Sequence, residues 1–275
     1  MQRIIFLLRY CAFGGLALFL ATTVAQAHEF WIEPLAFQVA AGEDIAADLK
    51  VGQNFVGSAY SYNPNRFRRF EMVTGDKTAP VPGTIGDRPA VRVLAEQDGL
   101  AILVHETTDN TLTYAEWQKF VDFVAHKDLV PGIEAHRARA LPETGFRERY
   151  SRYAKSLVAV GEGKGADRQI GLLTEIVALT NPYDTPAGEG VKVQVLYQGA
   201  PRGQVQLEVF ERAPSGDVTV RLLRTDDQGE ATVPVQPGHD YMLDAVVMRE
   251  LEGDVTEKED VWESLWANLT FHVPN

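Results

Sequence analysis

His28 is the residue whose type and place promise the most chemistry. It follows Thr22-Thr23-Val24-Ala25-Gln26-Ala27, where two alanines bracket one residue in the small-x-small pattern that a signal peptidase cuts after. Cleavage there would make His28 the first residue of the mature chain. A terminal histidine offers two nitrogens, its free α-amine and an imidazole nitrogen, which together close a chelate ring around a metal. The amine has a pKa of about 7.7–8.0, so a metal displaces only a weakly held proton. Imidazole suits nickel, copper and zinc. One further histidine would complete a three-nitrogen brace.

The other histidines are His105, His126, His136, His239 and His272. His105 ends a strand-like run, where a sheet edge can meet the N-terminal strand, and is the first choice of partner for His28. His126 is expected on the solvated side of a helix, His136 on the surface, His239 in a turn and His272 as a structural residue of the last strand. Glu29 and Glu33 are possible carboxylate ligands. No pair of histidines has the HExxH spacing, and GxSxG, P-loop and dinucleotide patterns are absent. Asp226-Asp227-Gln228-Gly229-Glu230 has the composition of a calcium loop but the spacing of a hairpin turn. These signals point to binding rather than catalysis, and no enzymatic activity is expected.

The leader explains the compartment. Arg3 and Arg9 precede an apolar run from Cys11 to Leu20 that is too short for a confident membrane span. Residues 1–27 therefore read as a cleavable signal peptide, and the periplasm is the expected location. Cys11 is the only cysteine, so the mature chain has no disulfide and no thiolate ligand. Losing Arg3 and Arg9 from 26 basic residues leaves 24 against 38 acidic ones, a net charge of −14. That charge argues against nucleic-acid binding, which needs a basic footprint.

The elements that must position these residues are mostly strands. Residues 28–33, 45–51, 91–94 and 100–104 alternate with period 2 or form short apolar runs between turn signals. Residues 191–196, 204–210, 218–223, 231–235, 241–247 and 267–273 do the same. Between the two sets, Thr113 and Glu116 read as a capping box ahead of Trp117, Phe120, Val121 and Val124, which share a helix face. A second helix is expected over 145–157, with Arg147, Arg149, Arg152 and Lys155 paired to carboxylates and Tyr150, Tyr153 and Leu157 packed inward. The expected architecture is mainly β. A signal peptide at 1–27 is followed by an N-terminal β-sandwich at 28–110 and a helical connecting segment at 111–165. An immunoglobulin-like or transthyretin-like sandwich at 166–275 completes it.

Several segments also resemble a known family. They are His28-Glu29-Phe30-Trp31-Ile32-Glu33-Pro34, Arg147 through Lys155, Thr174-Glu175-Ile176-Val177 with Asn181-Pro182-Tyr183, Val195 through Gly199, Thr225 through Ala231, and Trp262, Trp266 and Leu269-Thr270-Phe271. Together they are similar to the domain of unknown function 4198 family, also described as NikM-like or as a nickel-uptake substrate-specific region. The resemblance implies an exported protein with a C-terminal transthyretin-like sandwich and a link to nickel or cobalt uptake. Transport components of that name carry membrane helices after the exported region, and none is seen here after residue 27. The expected role is an accessory that binds nickel, cobalt or copper at His28 and His105 and passes it to a membrane transporter or envelope protein. The alternative is a metal-free envelope module that holds a protein or polysaccharide.

Overall fold

A computed structural model describes residues 28–186 and 188–275; the expected signal peptide and its cleavage point lie outside the described residues. In chain order the first strands are β1 (Glu29–Pro34), β2 (Gln38–Val39), β3 (Asp44–Gln53), β4 (Val56–Tyr60), β5 (Phe67–Thr74), β6 (Lys77–Pro80), β7 (Val91–Leu94), β8 (Gly99–Thr107) and β9 (Asn110–Thr113). Two helices follow, α1 (Trp117–His126) and α2 (Pro131–Ala138). Then come β10 (Arg147–Val160), β11 (Thr174–Ala178), β12 (Val191–Tyr197), β13 (Ala200–Pro201), β14 (Gln206–Arg212), β15 (Val218–Arg224), β16 (Glu230–Val233), β17 (Asp240–Glu250) and β18 (Asp260–His272). Among the described residues no helix is long and apolar enough to cross a membrane.

The fold is mainly β and built of sandwiches that share a middle layer. A ten-stranded sheet runs β15-β14-β17-β18-β10-β8-β5-β6, with β2 and β9 also paired to β10. Its centre is the parallel pair β10–β18, in register from Glu148 opposite Trp262 to Ser156 opposite Thr270. A strand's side chains point alternately to opposite faces, so each long central strand serves two cores. Tyr153 and Leu157 of β10 join Leu265, Ala267 and Leu269 of β18 in the core beneath the sheet of β11, β12, β13 and β16. Ala154 and Val158 face the other way, against Phe30 and Ile32 of the sheet formed by β1, β3, β4 and β7. The helices cover the rest of that second face, where Phe120, Phe123 and Val124 meet Trp262 and Trp266.

The connecting segment departs from expectation in two ways. Residues 147–160 form a buried strand, not a helix. The near-helical spacing of Tyr150, Tyr153 and Leu157 is outweighed by pairing to β18 on one edge and to β8 and β9 on the other. The capping box also fails to form: Thr113 ends β9, and Glu116 occupies the N-cap position without a side-chain cap bond. Phe123 rather than Val121 completes the buried stripe of α1. The Asp226–Glu230 segment is a tight turn but not the expected hairpin: it joins β15, paired to β14 in the ten-stranded sheet, to β16, paired to β12 in another sheet. Asp226 Oδ1 accepts from the amides of Gln228 and Glu230, both at 2.9 Å, and Gly229 takes the left-handed conformation (φ 71°).

Candidate functional site

Strand β1 carries the first residues of the expected mature chain, and both of its faces are engaged. Phe30 and Ile32 point toward the β5–β8–β10 half of the central sheet. Trp31 points the other way and packs with Phe55, Phe210 and Met242. Thr270 of β18 pins the strand by donating to the Ile32 carbonyl at 2.7 Å. One site lies on each side of this strand.

On the Phe30 side is a cavity of about 480 Å³ bordered by His28, Phe30, Phe67, His105, Arg152 and Trp266. His28 and His105 therefore meet the same space. His28 is exposed at its rim, and Arg152 Nη2 donates to its carbonyl at 3.0 Å. His105 is 3% exposed, with ring centroids 5.0 Å from Phe30, 5.5 Å from Phe67 and 4.8 Å from Phe70. Burial lowers its pKa to about 3, so the imidazole is neutral, and its Nδ1 has no hydrogen-bond partner.

Glu148 lies deeper in the cavity wall. Tyr114 donates to its Oε2 at 2.6 Å, and the Ser264 hydroxyl contacts Oε1. Burial raises its pKa from 4.5 to about 7, against the pull of those two hydrogen bonds. The folded protein thus keeps a proton that the unfolded chain gives up between these values. The resulting stability is full below pH 4.5 and is lost as the pH rises to about 7. Glu148→Gln removes this dependence. Urea unfolding at pH 5 and pH 8 should show the variant gaining about 2.5 kcal/mol on the wild type across that interval; a constant difference would refute the assignment. His105 acts in the opposite sense, because its neutral folded form loses stability as the pH falls from 6.5 toward 3.

On the other side of β1, Glu29 reaches a buried charge cluster. Lys127, just after α1, donates to Glu29 Oε1 at 3.1 Å and to Asp244 Oδ2 at 3.0 Å, and also contacts Glu208. All four side chains are at most 5% exposed. Burial alone would lower the Lys127 pKa, but the three carboxylates more than reverse that and hold it charged. Burial raises the Asp244 pKa, and its Oδ1 has no hydrogen-bond partner. His126 completes the cluster from the solvent side. Its Nε2 lies 3.0 Å from Glu208 Oε1, a charge contact rather than a well-angled hydrogen bond, and Glu208 raises its pKa. Glu29, His126 and Glu208 each present a ligand atom within 4.8 Å of the others. Trp266 stands between the two sites: it borders the cavity, and its ring centroid is 4.8 Å from the Lys127 ammonium.

The other candidates are committed elsewhere. Glu33 accepts from Trp31 at 2.7 Å, Lys50 at 3.0 Å and Arg212 at 3.1 Å. His136 is fully buried instead of on the surface. It accepts from Trp262 Nε1 at Nδ1 and lies 3.0 Å from the Pro142 carbonyl through Nε2. His239 and His272 each lie 2.8 Å from a carboxylate, of Glu211 and Asp240 respectively. The basic run of β10 pairs within the chain as expected: Arg147 with Asp260, Arg149 with Glu263, and Lys155 with Asp167 and Glu175. Arg152 and Tyr150 are the exceptions: Arg152 has no carboxylate partner among the described residues and donates instead to the His28 carbonyl, and Tyr150 lines the cavity rather than a core. Lys127, Glu208 and Asp244 were missed. The latter two stand as isolated acids in Leu207-Glu208-Val209-Phe210 and Leu243-Asp244-Ala245-Val246, which is itself a signal, because a lone charge in an apolar strand needs a partner.

Comparison with known sequences places the chain. The family described as "Domain of unknown function (DUF4198)" matches residues 25–249, which include β1, both helices and every residue of the two sites except Trp266. The chain belongs to the DUF4198 family. No curated protein gives a match. Among solved structures, the "D0-D1 domain of Intimin" aligns at 14% identity over 89% of this chain and 97% of that one, with a TM-score of 0.21. A "tetra-tandem repeat in extending region of large adhesion protein" aligns at 9% identity over 89% and 49%, also with a TM-score of 0.21. Overlap this low has no bearing on function.

Proposed function

We propose that this DUF4198 protein is an exported, non-catalytic accessory that binds a divalent transition metal in the periplasm and passes it to an uptake system. The observation that carries this reading is the convergence of Glu29, His126 and Glu208 within 4.8 Å, one residue from the expected mature terminus. Two carboxylates and a neutral imidazole balance the charge of a divalent ion, and the mixed oxygen and nitrogen set suits nickel, cobalt or zinc. The incoming ion takes the place of the Lys127 ammonium on Glu29 and Glu208, leaving Lys127 to Asp244. The metal competes with a proton for His126, whose pKa Glu208 raises, so affinity should climb as the pH rises through the His126 titration.

Calorimetric titration of nickel, cobalt and copper into protein beginning at His28 tests the reading. His126→Ala and Glu208→Gln should each weaken binding at least about tenfold, the usual scale for losing a ligand or its support, while Glu33→Gln should leave it unchanged. Undiminished affinity in both variants would remove the cluster as the site. His28 with His105 is a second position, favoured by their shared cavity and the free, neutral His105 imidazole. It is singled out if one extra residue ahead of His28, or His105→Ala, is what abolishes binding. The envelope-module alternative predicts no metal binding in any of these proteins.

A further inference from the structure

The cavity on the Phe30 side of β1 has features that the metal reading does not use. At about 480 Å³ it is far larger than an ion needs and falls within the usual range for small-molecule sites, about 300–1,000 Å³. Much of its wall is apolar or aromatic, with Phe30, Phe67, Phe123 and Trp266 the large contributors.

Its charge is the opposite of the protein's. Arg152 stacks over Tyr150, with its guanidinium carbon 4.8 Å from the ring centroid, and its Nη2 holds the His28 carbonyl. Its Nε is shut off from solvent and has no partner, and among the described residues no carboxylate pairs with this guanidinium. Arg66, also in the wall, makes no ion pair among the described residues. Lys119 is already neutralised by Glu116 at 2.9 Å. The cavity's acid, Glu148, is occupied by Tyr114 and Ser264. His105 presents a neutral ring, 3% exposed, whose Nδ1 also lacks a partner. A guanidinium without a counter-ion in a partly dry wall is costly, and a bidentate carboxylate is its best complement.

We propose that this cavity binds a small organic carboxylate with an apolar or aromatic body. Arg152 holds the carboxylate, and Arg66 adds the second positive charge. Phe30, Phe67 and Trp266 pack against the body, and the free His105 nitrogen meets a polar group on it. The site is independent of the Glu29–His126–Glu208 cluster, from which Trp266 separates it.

The test uses the mature chain stripped of metal with a chelator, so that failure of the metal reading does not affect it. Benzoate, indole-3-acetate and octanoate are titrated by calorimetry and by tryptophan fluorescence, each beside its uncharged amide, with inorganic phosphate as a further control. At least one carboxylate should bind about tenfold or more tightly than its amide, the scale of a hydrogen bond to a charged group. Arg152→Met should abolish that preference. Arg66→Gln, at an exposed position where folding is not at stake, should weaken carboxylate binding about threefold or more as one charge leaves the wall. The proposal is overturned if no carboxylate outcompetes its amide, if both arginine variants keep the preference, if phosphate alone binds, or if binding appears only when metal is restored.

Discussion

Replacing Lys155 by Met should destabilise the protein by about 3–5 kcal/mol, the scale for removing one partner of a buried ion pair. Lys155 is fully buried on the face of β10 that meets the β11–β12–β13–β16 sheet. Its ammonium donates to Asp167 at 3.0 Å, to Glu175 at 3.0 Å and to the Arg168 carbonyl at 3.1 Å. Those carboxylates also organise the chain that leads into β11. Glu175 accepts from the amides of Ile170, Gly171 and Leu172, and Asp167 from those of Arg168 and Ala178. Without the cation, two charges stay buried around a turn that depends on them. Adding Asp167→Asn and Glu175→Gln to the lysine variant should recover part of the loss, because the residual charge is what costs most. Urea unfolding measures both. A loss below about 1 kcal/mol, the level of an exposed pair, would mean that solvent reaches the cluster.

Lys127→Met should cost a similar amount, about 3–5 kcal/mol, in metal-free buffer. Here three carboxylates, from Glu29, Glu208 and Asp244, lose their common cation. This variant also separates structure from function. If Glu29, His126 and Glu208 take a divalent metal, removing Lys127 removes the competitor, and nickel should raise the melting temperature of the variant more than that of the wild type. If the cluster is purely structural, the variant stays destabilised whatever metal is added.

The sequence made the outer strands readable and the centre hard to read. β3 and β7 turn alternate residues to a core and to a more exposed side, so Ile45, Ala47 and Leu49 stand out against Ala46, Asp48 and Lys50. β10 carries arginines, tyrosines and a lysine because its two faces serve different cores and a buried ion cluster, and that mixture imitates a charged helix. Its true pairing partner, β18, lies more than a hundred residues away, beyond any local pattern. The site divided in the same way. The mature terminus drew attention to His28 and Glu29, and His105 does border the cavity that His28 enters. Lys127, Glu208 and Asp244 converge on Glu29 only because β1 lies across β14 and β17, a contact that spans most of the chain. His126 looked solvated because its helix face is, yet that face opens onto Glu208.

The most direct test is nickel anomalous diffraction from crystals of the chain beginning at His28. Metal should appear among the Glu29 and Glu208 carboxylates and His126 Nε2, at about 2.0–2.2 Å from each, the range for such ligands around zinc, with the Lys127 ammonium withdrawn toward Asp244. A crystal saturated with nickel that shows Lys127 still bridging Glu29 and Glu208, and no anomalous peak beside His126, would contradict the account.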